Sequence, residues 1–194
     1  LPVRAAFLSG GIFAGKTLIT DPFLEIDGQV GYYLAAEWRY RDALRLRATH
    51  YDNQADPMQF KENQIAWLTR FDALGAQWQP DDATVLIAQW LYGDTLAGSA
   101  SSSYGVANEY AAWFVLASRN FGFGRLSARY ESFGVEDYDA NPDDDNEEDG
   151  SAITLAWIVA LDRRDDLGVE LLAISSSRPD RAEQLLVASL EEGV

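Results

Sequence analysis

Arginines dominate the side chains of this sequence that could do chemistry, and many recur at alternating positions. Arg45 and Arg47 are two residues apart, a spacing that a strand aligns on one face and a helix scatters. Rows of arginine concentrate anions and bind carboxylate or phosphate through two parallel hydrogen bonds. Alternatively, such arginines pair with acids and only brace the fold. The charged face is expected to carry Glu37, Arg39, Arg45, Arg47, Arg70, Gln77, Gln89, Arg125, Arg129 and Glu131.

The elements that must position these arginines are strands, because the hydrophobic pattern has a period of two. Residues 32–51 predict a hairpin with one apolar and one cationic face, turning near Arg41 and Asp42. No segment shows a convincing helical period, so the sequence predicts an all-β fold of about ten strands in one domain, 1–194. Besides the hairpin, the predicted strands are 3–8, 65–71, 74–79, 85–92, 110–119, 125–131, 153–161, 167–174 and 184–190.

The connections between these strands largely alternate between short and long. This rhythm is typical of an antiparallel up-and-down meander with one trimmed and one elaborated rim, as in outer-membrane barrels. The short connections are 41–42, 72–73, 80–83, 120–124 and 162–166, and the long ones are 52–63, 93–108, 133–150 and 175–183.

Alternation alone does not separate a lipid-facing barrel from a soluble β-sandwich, since both have strands with one apolar face. Aromatic residues such as Trp38, Tyr40 and Trp90 lie toward predicted strand ends, where the interfacial girdles of a barrel would lie. Small residues such as Ala48 and Ala76 lie among the large apolar ones, which lipid tolerates better than a packed core does. These features favour a transmembrane barrel, with a carbohydrate-binding sandwich as the alternative.

Composition excludes several classes of function. A formal net charge of -16 argues against nucleic acid as a partner, and the absence of cysteine excludes disulfides, thiolate metal sites and a cysteine nucleophile. The sequence contains no run of 18 apolar residues, so no transmembrane helix is predicted. The chain begins with Leu1 and not with methionine, so we expect a processed or trimmed chain whose targeting cannot be read from its first residues.

Three motifs suggest other chemistry. Residues 10–17 (GGIFAGKT) fit the phosphate-loop pattern, but no helix is predicted after them, so a glycine-rich loop is the better interpretation. Residues 136–149 carry nine acids, but their spacing does not match the calcium loop of an EF-hand. Two interpretations remain: a solvated loop, or a loose site for divalent cations that bridge to lipopolysaccharide. His50, near Asp52, allows a rim hydrolase, but no nucleophile or oxyanion hole is marked, and an interfacial histidine is preferred.

Several segments together resemble a family of porin-like, alginate-export-like outer-membrane barrels of Gram-negative bacteria. The resemblance covers most of the chain and is to the C-terminal half of such proteins, which are usually about twice as long. It implies a passive channel, with an anionic polysaccharide as a candidate solute. The segments are 25–28 (EIDG), 32–33 (YY), 37–40 (EWRY), 45–47 (RLR), 50–53 (HYDN), 66–72 (AWLTRFD), 86–91 (LIAQWL), 143–146 (DDDN) and 177–179 (SRP).

The sequence and the resemblance together predict a passive anion-favouring channel in the bacterial outer membrane. In a barrel the arginines would line the lumen, and the apolar positions would face lipid. The expected partners are the bilayer, lipopolysaccharide and an anionic solute or polysaccharide. We expect no cofactor, no metal and no catalysis.

Overall fold

Strands make up all the regular structure of the described residues, and the predicted all-β class is confirmed. The structure, a computed structural model, describes residues 25–61, 64–101, 105–140, 145–161, 165–178 and 181–193, with side chains in the last range only for 185–188. The strands are β1 (Tyr32–Tyr40), β2 (Leu44–Asp52), β3 (Phe60–Lys61), β4 (Gln64–Ile65), β5 (Leu68–Asp81), β6 (Thr84–Ala97), β7 (Val106–Asn120), β8 (Arg125–Asp137), β9 (Glu148–Ala160), β10 (Asp166–Arg178) and β11 (Arg181–Gly193).

Nine of these strands form one antiparallel up-and-down sheet in the order β1-β2-β5-β6-β7-β8-β9-β10-β11. The small hairpin β3-β4 lies within the connection between β2 and β5. The short connections 41–43, 82–83, 121–124 and 161–165 lie at one rim, which we call the short rim. The connections 53–67, 98–105 and 138–147 lie at the opposite, long rim. The meander predicted from the connection lengths is therefore confirmed.

The strands extend further toward the long rim than the sequence predicts. The predicted turn at 72–73 is wrong, because Asp72 pairs with His50 on one side and Tyr92 on the other, inside the continuous strand β5. The predicted long connection at 175–183 is also wrong, since β10 continues to Arg178 and β11 begins at Arg181. The predicted strand at 3–8 lies outside the described residues.

The register sorts the side chains onto two faces. On the first, which we call the apolar face, two neighbouring rows of cross-strand partners contain only apolar or aromatic residues. One row is Tyr40, Leu44, Trp78, Leu86, Ala117, Ala128, Leu155, Leu171 and Ala188, and the other is Trp38, Leu46, Ala76, Ala88, Val115, Tyr130, Ile153, Ala173 and Leu186. The opposite face carries most of the predicted arginines, and we call it the arginine face.

The apolar side chains are the more exposed ones, which reverses the usual arrangement of a soluble sheet. Along the middle of β7, β8, β9 and β10, residues of the apolar face are exposed and those of the arginine face are half-buried or buried. Ile153 and Leu155, in the middle of the apolar face, are 51% and 48% exposed. Among the described residues, the buried ones with hydrophobic side chains are three alanines: Ala66, Ala97 and Ala152.

Two glycines on the arginine face make room for aromatic rings on neighbouring strands. Gly93 pairs with Tyr110, and a Cβ at Gly93 would lie 2.7 Å from that ring. Gly150 pairs with Phe133, and a Cβ there would also lie 2.7 Å from the ring. The rings thus cover backbone that has no side chain of its own, which lets the strands coil without a steric clash.

No helix in the described part of the chain is long and apolar enough to cross a membrane.

Within the described residues, no pairing joins β1 to β11, so these two strands form the edges of the sheet.

Candidate functional site

The hairpin β1-β2 brings three predicted arginines together on the arginine face. Arg39 lies directly opposite Arg45 across the pair, and Arg47 lies opposite Glu37 in the next row. The hairpin turns through Arg41, whose φ of 50° is a left-handed value that suits a tight turn. We call Glu37, Arg39, Arg45 and Arg47 the β1–β2 cluster.

Glu37, the acid of this cluster, contacts two of its three cations. Glu37 Oε1 accepts a hydrogen bond from Arg39 Nε at 2.5 Å and lies 3.9 Å from Arg45 Nε. Arg47 instead donates to the hydroxyl of Tyr33. Three guanidinium groups and one carboxylate leave a formal charge of +2 on a surface where Arg39 and Arg45 are 62% and 48% exposed.

A polar cavity of about 200 Å³ adjoins this cluster at the short rim. Arg39, Arg41 and Arg45 line it together with Asp42, and Gln77 and Gln79 of β5 form its far side. Guanidinium and amide N–H groups are donors that suit an oxyanion.

A second group of predicted residues lies four strands away on β8, and each of its cations has a partner. Arg129 forms an ion pair with Glu131, and its guanidinium lies 4.2 Å from the centre of the Phe114 ring on β7. Arg125 donates to Ser118 Oγ at 3.1 Å, a hydroxyl that also accepts from Ser127 at 2.9 Å. We call Arg125, Arg129 and Glu131 the β8 cluster.

Arg70 does not join either cluster, and its predicted place on the arginine face is wrong. Because β5 continues through residue 72, Arg70 keeps the parity of Leu74 and lies on the apolar face, beyond the apolar rows. It contacts Asp94 at 2.8 Å there. The sequence interpretation placed a turn at 72–73, which reset the alternation by one residue and moved Arg70 to the opposite face.

The part of the apolar face near the long rim is charged, and sequence reasoning missed it. One register row there reads Asp52, Arg70, Asp94, Glu109 and Glu136 across five strands. Tyr92 donates to Glu109 at 2.7 Å, and Tyr138 donates to Glu136. Following the alternation of β6 and β7 past residues 92 and 110 would have found it.

His50 lies on the same face, in a chain of hydrogen bonds. Its Nδ1 lies 2.8 Å from Asp72 Oδ1, and its Nε2 lies 3.2 Å from the Tyr32 hydroxyl. Its acid partner is thus Asp72 on β5 and not Asp52, the nearby acid in the sequence. An interfacial role and a rim hydrolase both remain interpretations of this arrangement.

The acidic segment 136–149 is described on either side of residues 141–144. Its carboxylates accept backbone hydrogen bonds locally, as Asp137 does from Asp139 and Asn146. An open cavity of about 620 Å³ nearby is lined by Glu109, Glu136, Glu147, Glu148 and Asp149, with Arg178 and several uncharged residues. Within the described ranges, no group of three or more histidine, aspartate or glutamate side chains is arranged to hold a metal ion. The phosphate-loop pattern at 10–17 lies outside these ranges.

No family model, no curated protein and no solved structure matches the chain.

Proposed function

We propose that this chain forms an antiparallel β-barrel in a bacterial outer membrane and acts as a passive channel that favours anions. The observation that carries the proposal is the reversed amphipathicity of the sheet. Two complete rows of apolar or aromatic side chains cross nine strands, and most of these side chains are exposed, whereas the middle of the opposite face is half-buried or buried along β7 to β10. Water penalises such a surface, whereas the hydrocarbon of a bilayer favours it.

The border of the apolar surface toward the long rim also supports a location in a bilayer. On β8, β9 and β10 the row next to the apolar rows is serine: Ser132, Ser151 and Ser175. On β5, β6 and β7 the same row is still apolar, with Leu74, Trp90 and Trp113, and all three strands carry charged residues two rows beyond it. The apolar band thus keeps a nearly constant height but crosses the strands obliquely, as it would if the strands were tilted in a membrane.

The height of the band fits the same interpretation. On β10, apolar-face residues 167, 169, 171 and 173 span six residue steps, or roughly 20 Å along the strand. Strands of 13 to 15 residues, as β5 to β11 are, exceed the roughly 9 to 11 residues that a tilted strand needs to cross the hydrocarbon. The extra length places the charged row of Arg70 and Asp94 outside the band.

The β1–β2 cluster supports the preference for anions. In a closed barrel the arginine face would line the lumen, and an excess of guanidinium groups there would raise the local anion concentration. Small anions and anionic polysaccharides share the carboxylate, sulfate or phosphate groups that such a surface attracts. The bilayer and lipopolysaccharide would be its other partners.

A matched pair of substitutions on one strand tests the proposal. Leu171 and Leu172 are neighbours on β10, the first on the apolar face and 47% exposed, the second half-buried on the arginine face. We expect Leu171→Arg to cost about 2–4 kcal/mol of folding free energy in membranes and to reduce the outer-membrane fraction. We expect Leu172→Arg to partition as the unmodified chain does and, in planar bilayers, to shift the reversal potential further toward anions.

The opposite result would reject the proposal. If the unmodified chain stays monomeric in plain buffer and both variants behave alike, the apolar face is not a lipid surface. The alternative would then be carbohydrate binding through exposed aromatic pairs, such as Trp90 and Tyr92, whose rings stack at 6.2 Å with an angle of 7°. The described residues form one large sheet and not two packed sheets, so they do not favour the sandwich that this alternative assumed.

A further inference from the structure

The polar cavity at the short rim, which we call the short-rim cavity, is framed by β1, β2, β5 and the β1-β2 turn. Arg39, Arg45 and Gln77 are direct partners in one register row, so their side chains share the arginine face on strands roughly 4.8 Å apart. The backbone N–H of Gln79 donates to the carbonyl of Ala43 at 2.7 Å, which joins the end of β5 to the turn. Backbone pairing therefore sets the positions of the donors around the cavity.

Most N–H groups of the three cavity arginines have no partner in the described part of the chain. Arg39 Nε donates to Glu37, and Arg45 Nε lies 3.9 Å from the same carboxylate, beyond hydrogen-bond distance. The guanidinium of Arg41 lies 5.1 Å from the centre of the Tyr40 ring and, within the described ranges, forms no ion pair. Because each guanidinium has five N–H donors, the cavity offers many charged donors to a ligand.

The lining of the cavity indicates the charge and the size of that ligand. Three guanidinium groups and the carboxylate of Asp42 give the lining a formal charge of +2. A phosphate group carries close to two negative charges near neutral pH, whereas a carboxylate carries one. The volume of about 200 Å³ equals that of roughly six or seven waters in the liquid, so a phosphate group fits together with some water.

Asp42 gives the cavity a means to distinguish between two dianions. A carboxylate in the wall of an anion site repels the ligand unless the ligand donates a hydrogen bond to it. Hydrogenphosphate has one O–H group to donate, whereas sulfate has none. The lining therefore favours phosphate over sulfate, although the two anions carry the same charge.

We propose that the short-rim cavity is a binding site for a phosphate dianion. The ligand is held by the guanidinium groups of Arg39, Arg41 and Arg45 and the amide groups of Gln77 and Gln79, and it donates its O–H group to Asp42. Inorganic phosphate and a phosphate monoester share this chemistry. The role of the site in solute passage rests on the proposed function, which would place it at the short-rim mouth of a channel.

Equilibrium dialysis of the whole chain with radiolabelled inorganic phosphate tests the site. The measurement is made at about pH 8, where phosphate is the dianion, and at low ionic strength, because salt screens exposed charges. We expect saturable binding of one phosphate per chain, which an equal concentration of sulfate displaces only weakly. Uptake without saturation, or displacement by sulfate as effective as that by unlabelled phosphate, would overturn the proposal.

Arg45 and Arg47 provide a matched pair of variants. They lie two residues apart on the same face of β2, but Arg45 lines the cavity, whereas Arg47 donates to the Tyr33 hydroxyl. Both changes to glutamine remove one positive charge. We expect Arg45→Gln to weaken phosphate binding about tenfold and Arg47→Gln less than about threefold, because a hydrogen bond to a charged ligand is lost only in the first. Equal losses would indicate diffuse attraction and overturn the site.

Two further measurements address the wall and the source of the ligand. Asp42→Asn should abolish the preference for phosphate over sulfate, and an unchanged preference would overturn the role of Asp42. Glycerol phosphate, added as a competitor, distinguishes the two sources: competition shows that the site accepts a phosphate ester, and no competition assigns it to free phosphate.

Conductance of the same preparation in planar bilayers separates this proposal from the preceding one. If phosphate binds with the expected difference between Arg45→Gln and Arg47→Gln but the chain conducts no ions, the channel is rejected and the site stands. If the chain conducts and shows no saturable phosphate binding, the site alone is wrong.

Discussion

The β1–β2 cluster and the β8 cluster show how one residue type on one face can be used in two ways. In the β1–β2 cluster, Arg39 and Arg45 share the carboxylate of Glu37, and Arg47 donates to a hydroxyl. In the β8 cluster, Arg129 has Glu131 and the Phe114 ring, and Arg125 has the Ser118 hydroxyl. The first cluster keeps uncompensated positive charge, while in the second Arg129 is paired with an acid of its own strand and Arg125 donates to a hydroxyl on β7.

The two interpretations of the arginines are anion attraction and bracing of the fold, and each of them fits one of the two clusters. Anion attraction depends on net charge and exposure, which the β1–β2 cluster has. Bracing depends on paired and stacked groups, which the β8 cluster has.

The largest expected effect is a reversal of ion selectivity. Replacing Arg45 and Arg47 together by glutamate changes the formal charge of the β1–β2 cluster from +2 to -2. We expect the anion-to-cation permeability ratio to fall about tenfold, since about 1.4 kcal/mol of electrostatic free energy is enough for that change. Reversal potentials in a salt gradient measure it.

Arg70→Gln is a control for the face on which the charge lies. It also removes an arginine charge, but from the apolar face near the long rim. An equal shift of the reversal potential in Arg70→Gln would show that selectivity does not arise from the arginine face.

The next effect is on stability and concerns the β8 cluster. We expect Arg129→Gln to lower the free energy of unfolding by about 1–2 kcal/mol, because the ion pair with Glu131 and the contact with the Phe114 ring are lost together. Urea titrations in liposomes measure this loss. If Arg129→Gln instead left stability unchanged and altered selectivity as much as the replacement of Arg45 and Arg47 by glutamate, the two clusters would not differ in role.

Phe114→Leu removes the ring contact of Arg129 and keeps its ion pair, so it should have a smaller effect. Leucine keeps an apolar side chain on β7 but removes the ring beneath the Arg129 guanidinium. We expect a loss of about 0.5–1 kcal/mol in the same titration. Combining it with Arg129→Gln should cost less than the sum of the two single changes, and strict additivity would argue against the contact.

The smallest effect concerns the long rim beside β8. The hydrogen bond that Tyr138 donates to the Glu136 carboxylate raises the pKa of Tyr138 to about 12. Because this pKa is raised above the ordinary value of about 10, the bond contributes fully below pH 10 and is lost as the pH rises through about 12. When tyrosinate absorbance is followed against pH, Tyr138→Phe should lack one group that titrates near pH 12 in the unmodified chain. Loss of a group that titrates near pH 10 instead would contradict the contact.

Much of the sheet could be predicted because alternation and turn residues are local signals. The hairpin of β1 and β2, the parity of Arg125 and Arg129, and the alternation of short and long connections all follow from neighbouring residues. The error at Arg70 has a local cause too: Asp72 and Ala73 resemble a turn. Only the ladder on both sides of β5, which involves residues distant in sequence, shows that the strand continues.

The partners of the arginines could not be predicted, because they depend on register. Phe114 lies directly opposite Glu131, and this brings its ring beneath Arg129, but nothing near residue 129 in the sequence indicates a ring. The same holds for His50 and Asp72, which are 22 residues apart. Parity selects the face, whereas register selects the neighbour.

The step in the apolar band between β7 and β8, where Trp113 lies opposite Ser132, bears on how the sheet assembles. A slip of two residues at this seam would keep every side chain on its own face, so parity gives no protection against it. It would, however, misalign the polar border of β8, β9 and β10 with that of the preceding strands. In the proposed membrane location, no single depth in the bilayer would then suit both halves. The oblique border therefore favours the native alignment of β7 with β8 over the alignment that is shifted by two residues.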